Sequence, residues 1–365
     1  MARYAFLDAK KGRDLMLRPF HGFALMTLGI AAACATVPPA IMGDPAVSVT
    51  ARAETPPVGT PREDAADDPA IWRNAANPAA SLIVGTDKKA GLYVYDLKGA
   101  QKSFFAVPGL NNVDIVELPD GTVLAIASDR SNLATAHLYV ARLDTRTATL
   151  SFVTRIMVGP GEGYGICKGD IEADGSFVVY SAPKNGVIYR TALQFQGAEL
   201  IDQTEPLNSV PTQPEGCIYD PRTGMLYIGE EDAGIWAMFG RLQGGPENRK
   251  LVAPIDNKLL VADVEGLAIA PEGADGGYLV ASSQGDNAYA VFRLPDMTPV
   301  GRFRIAAGTF GSIEETDGIE LDNRNFGPDF PKGIFMAQDG VNAPAAQNFK
   351  YARWDEILAA LEAGR

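Results

Sequence analysis

An all-β fold arranged as a single six-bladed propeller is what this sequence predicts, on three observations. One short pattern, a polar residue followed by an apolar strand, returns six times at intervals of 44, 52, 51, 50 and 52 residues. The apolar runs are four to six residues long, with Gly, Asp and Asn between them, which is the punctuation of strands and tight turns. A period near 50 residues with several strands per copy matches one propeller blade.

Taken in order, residues 1–34 read as a leader. Phe20 to Ala33 is a 14-residue, largely apolar run after Arg13 and Arg18, the length of a signal-peptide core and short of a membrane span. Met16 offers a more conventional start. Cys34 follows three alanines, so lipid attachment there stands beside simple cleavage as an alternative. Residues 35–59, rich in Pro, Ala, Val and Thr, read as a linker, and the propeller is expected over 60–365. Its blades open at Asp68, Asn112, Tyr164, Glu215, Glu265 and Asp317. Each opening strand is followed by a second and a third, as in SLIVGTDKKAGLYVYDL from Ser81 and MLYIGEEDAGIWAMF from Met225. The one helix expected is the tail, Trp354–Ala363. Cys167 and Cys217 admit two readings, a disulfide or two small buried thiols.

Composition removes several classes of function. The formal net charge is −13, and near −16 once residues 1–33 are set aside (27 basic against 43 acidic), so nucleic acid is not an expected partner. Only His21 and His137 are present, which argues against multi-histidine zinc, copper and haem sites and against histidine-nucleophile phosphatases. Carboxylates, Lys and Arg are left to do any chemistry.

Equivalent positions in successive blades share one radius and height, so the six opening residues should form a ring at one channel mouth. Asp67, Asp114 and Asp263 stand beside them. So many carboxylates in a partly dry place repel unless neutralised, and all-oxygen ligands select a hard cation, calcium before magnesium. The second strands should exit toward the same mouth. Three residues past their small anchors stand Lys88, Arg130, Lys184, Asp232, Gln284 and Gly340. A mouth with three cations on one side and acids on the other suits a polyanion. Each residue also has a plainer reading: acids as turn caps, Lys88-Lys89 as a solvated turn, Tyr164 as core, Gln284 and Asn111-Asn112 as turn formers. The same offset carrying related chemistry in six copies favours the site.

The strings DAADDPAIW (Asp64–Trp72), GTDKKAGLYVYDL (Gly85–Leu97), LNNVDI (Leu110–Ile115), YIGEED (Tyr227–Asp232), DVEGLAI (Asp263–Ile269), YLVASSQGDNAYAV (Tyr278–Val291), TDGIE (Thr316–Glu320) and QNFK (Gln347–Lys350) resemble the β-propeller phytases, in order and across all six blades. The resemblance implies a secreted, calcium-dependent enzyme with several bound ions. Such an enzyme removes phosphates stepwise from phytate, or calcium-phytate, by attack of a calcium-bound water without a phospho-enzyme. It implies metal ligands among Asp67, Asp68, Asp114, Tyr164, Glu215, Glu231, Asp263, Glu265, Gln284 and Asp317. It implies phosphate contacts from Lys88, Lys89, Asn112, Arg130 and Lys184, and catalytic roles for Lys88, Arg130, Tyr164, Lys184, Glu215 and Glu231. An exported monomer is expected, in the periplasm, outside the cell, or on the outer membrane as a lipoprotein. The chain departs from the family pattern at Asn185, at Gly311–Glu315 and at Val341, where acids are usual. Another calcium-dependent propeller hydrolase, acting on lactones or phosphotriesters, and a non-catalytic polyanion-binding propeller are the competing readings.

Overall fold

The computed structural model describes residues 40–61 and 64–364; the leader and Cys34 lie outside the described residues. Strands group into six sheets. Blade 1 is Ala66–Trp72, Leu82–Asp87, Gly91–Asp96 and Gln101–Ala106. Blades 2 to 5 repeat this antiparallel meander, with inner strands Leu110–Glu117, Gly165–Ile171, Pro214–Asp220 and Val264–Glu272. Blade 6 has Ile319–Asp322, Ile334–Asp339 and Asn348–Arg353. The six inner strands touch in cyclic order, and that of blade 6 returns to that of blade 1. The molecule is a six-bladed propeller with one C-terminal helix, Trp354–Ala363.

Alternation along each strand sends one set of side chains to each face of its sheet. In a radial array both faces meet a neighbour, so second strands such as Val123–Asp129 and Phe177–Ala182 are buried along their whole length, while outer strands such as Gln101–Ala106 are largely exposed. Six separate apolar clusters result, one at each blade-to-blade junction. Tyr289, Phe303 and Phe335 fill the junction of blades 5 and 6, beneath Trp354, Ile357 and Leu361 of the helix.

The expected linker is corrected from Val47 onward. Val47–Thr50 adds a fifth, parallel strand to the edge of blade 5, and Ala53–Glu54 pairs with Asn348–Arg353 as the outer strand of blade 6. Blade 6 is therefore closed by a segment that precedes blade 1 in the chain, which ties residues 53–54 to the last strand. The physical reason is that a bare outer edge leaves a row of unpaired backbone groups, and Val49, Ala51 and Ala53 carry enough apolar surface to join the adjoining cores. Removing residues 40–54 is expected to lower the melting temperature by about 5 °C or more; thermal unfolding of the chain started at residue 40 and at residue 55 measures it.

Cys167 and Cys217 form a disulfide between the inner strands of blades 3 and 4. Of the two readings the sequence left open, the bonded one holds, and it suits an oxidising compartment.

Candidate active site at the channel mouth

Each inner strand begins with a ring residue and then a residue pressed against the next blade. A Cβ on Gly216 would lie 2.3 Å from the Glu265 carbonyl oxygen, and one on Gly318 would lie 2.6 Å from that of Asp67. Close approach of neighbouring strands at the axis thus demands glycine there, which is the origin of the recurring Glu-Gly and Asp-Gly pairs.

This register corrects two ring positions. Pro69, Val113, Ile166, Cys217, Leu267 and Ile319 face Gly85, Ala127, Ser181, Ile228, Ala281 and Ala337. The ring residues, two positions earlier, are therefore Asp67, Asn111, Tyr164, Glu215, Glu265 and Asp317. Asp68 and Asn112 occupy the positions that are glycine in the other blades. The sequence comparison slipped by one because blades 1 and 2 have polar pairs and no glycine to align. Their inner strands bulge at these pairs, as do those of blades 4 and 5. The same correction moves the blade 4 anchor from Gly229 to Ile228 and replaces Asp232 with Glu231. Amides of Lys88, Arg130, Lys184, Glu231 and Gln284 each bond the carbonyl two residues before a ring residue, at Ala65, Gly109, Glu162, Gln213 and Asp263.

Lys88, Arg130, Lys184, Glu231 and Gln284 consequently form a second tier on the same mouth. Lys88 Nζ lies 2.8 Å from Asp64, 3.1 Å from Asp67 and 3.1 Å from Asp317. Gln284 Nε2 donates to Asp317 Oδ1 at 2.7 Å. Glu215, Glu231 and Glu265 each bring a carboxylate oxygen within 4.8 Å of the other two. Tyr164 neighbours Glu215, Glu265 and Glu231, whose charges act on its hydroxyl. Lys184 Nζ sits 4.2 Å from the Tyr164 ring centre and the Arg130 guanidinium 5.7 Å from it. Asp263 is half-buried near Asp232 and Glu231.

Burial and mutual repulsion raise the acids. Glu215 is pushed up to about 7, by burial and then by the Asp67 carboxylate. Glu265 is raised well above the carboxylate range by burial and then by Glu215. Asp317 is raised by burial against the opposing pull of Lys88. Both Asp67 carboxylate oxygens and Glu265 Oε2 are buried without an aligned hydrogen-bond donor. An all-oxygen donor set with orphaned carboxylate oxygens is what a hard divalent cation fits.

Two expected ligands stand apart from this cluster. Asp114 lies further along its strand, where Lys168 pairs with it at 2.6 Å and donates its amide to it at 2.8 Å. Asp68 accepts the Val113 amide at 3.1 Å and, with Asn112, Asp114 and Glu320, lines a narrow space inside the ring of inner strands. Lys89 is exposed at the rim, its amide bonded to Asp87. Asn185 serves its own turn, bonding Pro160 and Val187. Sequence reasoning read Asn111 only as a turn former and assigned no role to Glu162 or Gln338. Asn111 is fully buried and donates to Glu215 at 2.9 Å. Gln338 accepts the Asp317 amide and donates to the Ala66 carbonyl, joining blades 6 and 1. Only the repeat register, read with glycine as the marker, could have found Asn111.

Fold and site together define a propeller enzyme with a cation-ready acidic cluster beside a basic tier. The sequence pattern of the phytase family matches residues 23–364. A 3-phytase of Bacillus subtilis (strain 168) is 36% identical over 336 residues, covering 85% of this chain and 84% of that protein. The chain belongs to the phytase family and is an enzyme of that family. Among solved structures, a glucose dehydrogenase aligns at TM-score 0.49 with 14% identity, over 80% of this chain and 98% of its own. A chain from the structure titled Mitotic Checkpoint Complex aligns at 0.45 with 11% identity, over 82% of this chain and 80% of its own. Likenesses this distant carry no functional argument.

Proposed function

We propose that this enzyme removes phosphates stepwise from phytate and depends on calcium held at the channel mouth. The observation that carries the reading is the convergence of Glu215, Glu231 and Glu265 within 4.8 Å beside Lys88, Arg130 and Lys184, in a chain similar to a named 3-phytase. Asp67, Glu215, Glu231, Asp263, Glu265, Asp317, Tyr164 and Gln284 are the residues that would hold calcium. Bound there, the ion would neutralise these groups, draw in phosphate oxygens and acidify a water.

The chain's own residues supply the rest. Arg130 and Lys184, over the Tyr164 ring, orient a phosphate by charge-assisted hydrogen bonds. Tyr164 stays protonated, because burial and the neighbouring glutamates raise its pKa far above the tyrosine range, so its hydroxyl keeps a proton to donate beside them. Glu231 is the least buried of the three glutamates and gives a proton a route to solvent. Export belongs to the same reading, supported by the Cys167–Cys217 disulfide.

Phosphate release at neutral pH with calcium supplied tests the proposal, on a panel of phytate, simple phosphate monoesters, phosphotriesters and lactones. Phytate is expected to be turned over fastest. Preference for a lactone or triester favours the other propeller hydrolases, and phytate binding without phosphate release favours a binding protein.

A further inference from the structure

A chain of polar contacts runs from the acidic side of the mouth around its basic side. Asn111 donates through Nδ2 to Glu215 Oε1 at 2.9 Å and to Asn112 Oδ1 at 3.0 Å, while its Oδ1 accepts Arg130 Nη1 at 2.8 Å. The other guanidinium nitrogen, Nη2, is paired with Glu162. Glu162 Oε1 stands 3.9 Å from Lys184 Nζ. Lys184 lies over the ring of Tyr164, which neighbours Glu215. The path crosses blades 2, 3 and 4.

The chemistry fixes which group can fill each link. A carboxylate only accepts and a guanidinium only donates, so a connector between Glu215 and Arg130 needs a donor at one end and an acceptor at the other. An amide has both. Aspartate at position 111 would set an acceptor against Glu215 and add a carboxylate to a crowded cluster. Glu162 meets a different need. Two cations converging over one ring repel, and a carboxylate between them holds them together.

We propose that Asn111 and Glu162 are positioning residues that lock Arg130 and Lys184 into one rigid clamp in register with the acidic cluster. This rests on the reading of Arg130 and Lys184 as the phosphate clamp. Loss of Glu162 leaves the mouth one charge more positive, so attraction for a polyanion in the ground state does not weaken, whereas alignment in the transition state does. Glu162→Gln is therefore expected to lower kcat by about tenfold or more with KM unchanged or lower. A plain structural or contact role would raise KM or change only the melting temperature.

The test is a double-mutant cycle on the calcium-loaded enzyme with phytate. N111D and E162Q are each made alone and on Arg130→Gln, with melting temperatures in parallel. Residues that act through Arg130 should add less than about twofold to the loss already caused by R130Q. Losses that multiply, or E162Q within about twofold of the parent, overturn the proposal. Glu162 is partly exposed, so E162Q carries the test if N111D fails to fold. If the parent enzyme releases no phosphate from phytate, the functional reading fails on that control. The clamp is then read by calorimetry with inorganic phosphate, where N111D should bind about tenfold more weakly than the parent and equal affinity overturns the positioning role.

Discussion

Lys88→Met is expected to lower the rate of phosphate release from phytate by roughly 10²- to 10³-fold, the scale of losing one fixed charge at a reacting phosphate. Among the described residues, Lys88 is the one cation placed against both Asp67 and Asp317, at 3.1 Å from each. Burial would lower its pKa, but Asp67, then Asp317 and Asp64, outweigh this and hold it well above the ordinary lysine range. It therefore stays charged at neutral pH. Removing it leaves Asp67, which is 1% exposed, without a compensating cation. In chelator the variant should lose about 3 kcal/mol of stability, and much less with calcium bound, because the ion takes over part of the neutralisation. Steady-state kinetics and urea unfolding with and without calcium give both numbers. An active variant that is merely less stable would assign Lys88 to structure.

Chelation should abolish phosphate release altogether and also change how stability responds to pH. In the metal-free protein Glu215 is raised to about 7, and Glu265, Asp317 and Asp68 are raised too. Between the unfolded pKa near 4.5 and the folded value, the native state binds more protons than the unfolded chain. Stability then falls as pH rises through that window. For Glu215 alone the fall is roughly 3 kcal/mol, or on the order of 5 °C in melting temperature. On the proposed function, calcium would bind the ionised native state and so remove the decline, adding stability by mass action. The expected result is a melting temperature that drops from pH 4.5 to 7 in chelator and stays level in calcium. A chelated protein as stable at pH 7 as at pH 5, or active without metal, would falsify the metal-centred account.

The repeats were legible because a propeller copies one local solution six times. Glu215, Glu265, Asp317 and the tier of Lys88, Arg130 and Lys184 could be picked from spacing alone, since equal sequence offset becomes equal position around an axis. Asn111 was hidden by its neighbour: in the Asn111-Asn112 and Asp67-Asp68 pairs two similar side chains compete for one ring position, and the bulge that decides between them leaves no mark in composition. Glu162 was missed for another reason. It precedes the repeated motif, and its role comes only from Arg130 and Lys184 on adjacent blades.

What the residues determined unaided was the blade count, the strand-and-turn order, the terminal helix and an acidic character at one mouth. Local propensity and periodicity suffice for these, because each blade states its own pattern. Tertiary structure decided the rest. Closure by Val47–Thr50 and Ala53–Glu54, the Cys167–Cys217 bond, and the separation of Asp114 from the glutamate cluster all depend on which strand lies beside which. The pairing of Asp114 with Lys168, 54 residues away, illustrates the cause: a carboxylate's partner is set by distance in space, and that distance exists only once the ring has closed.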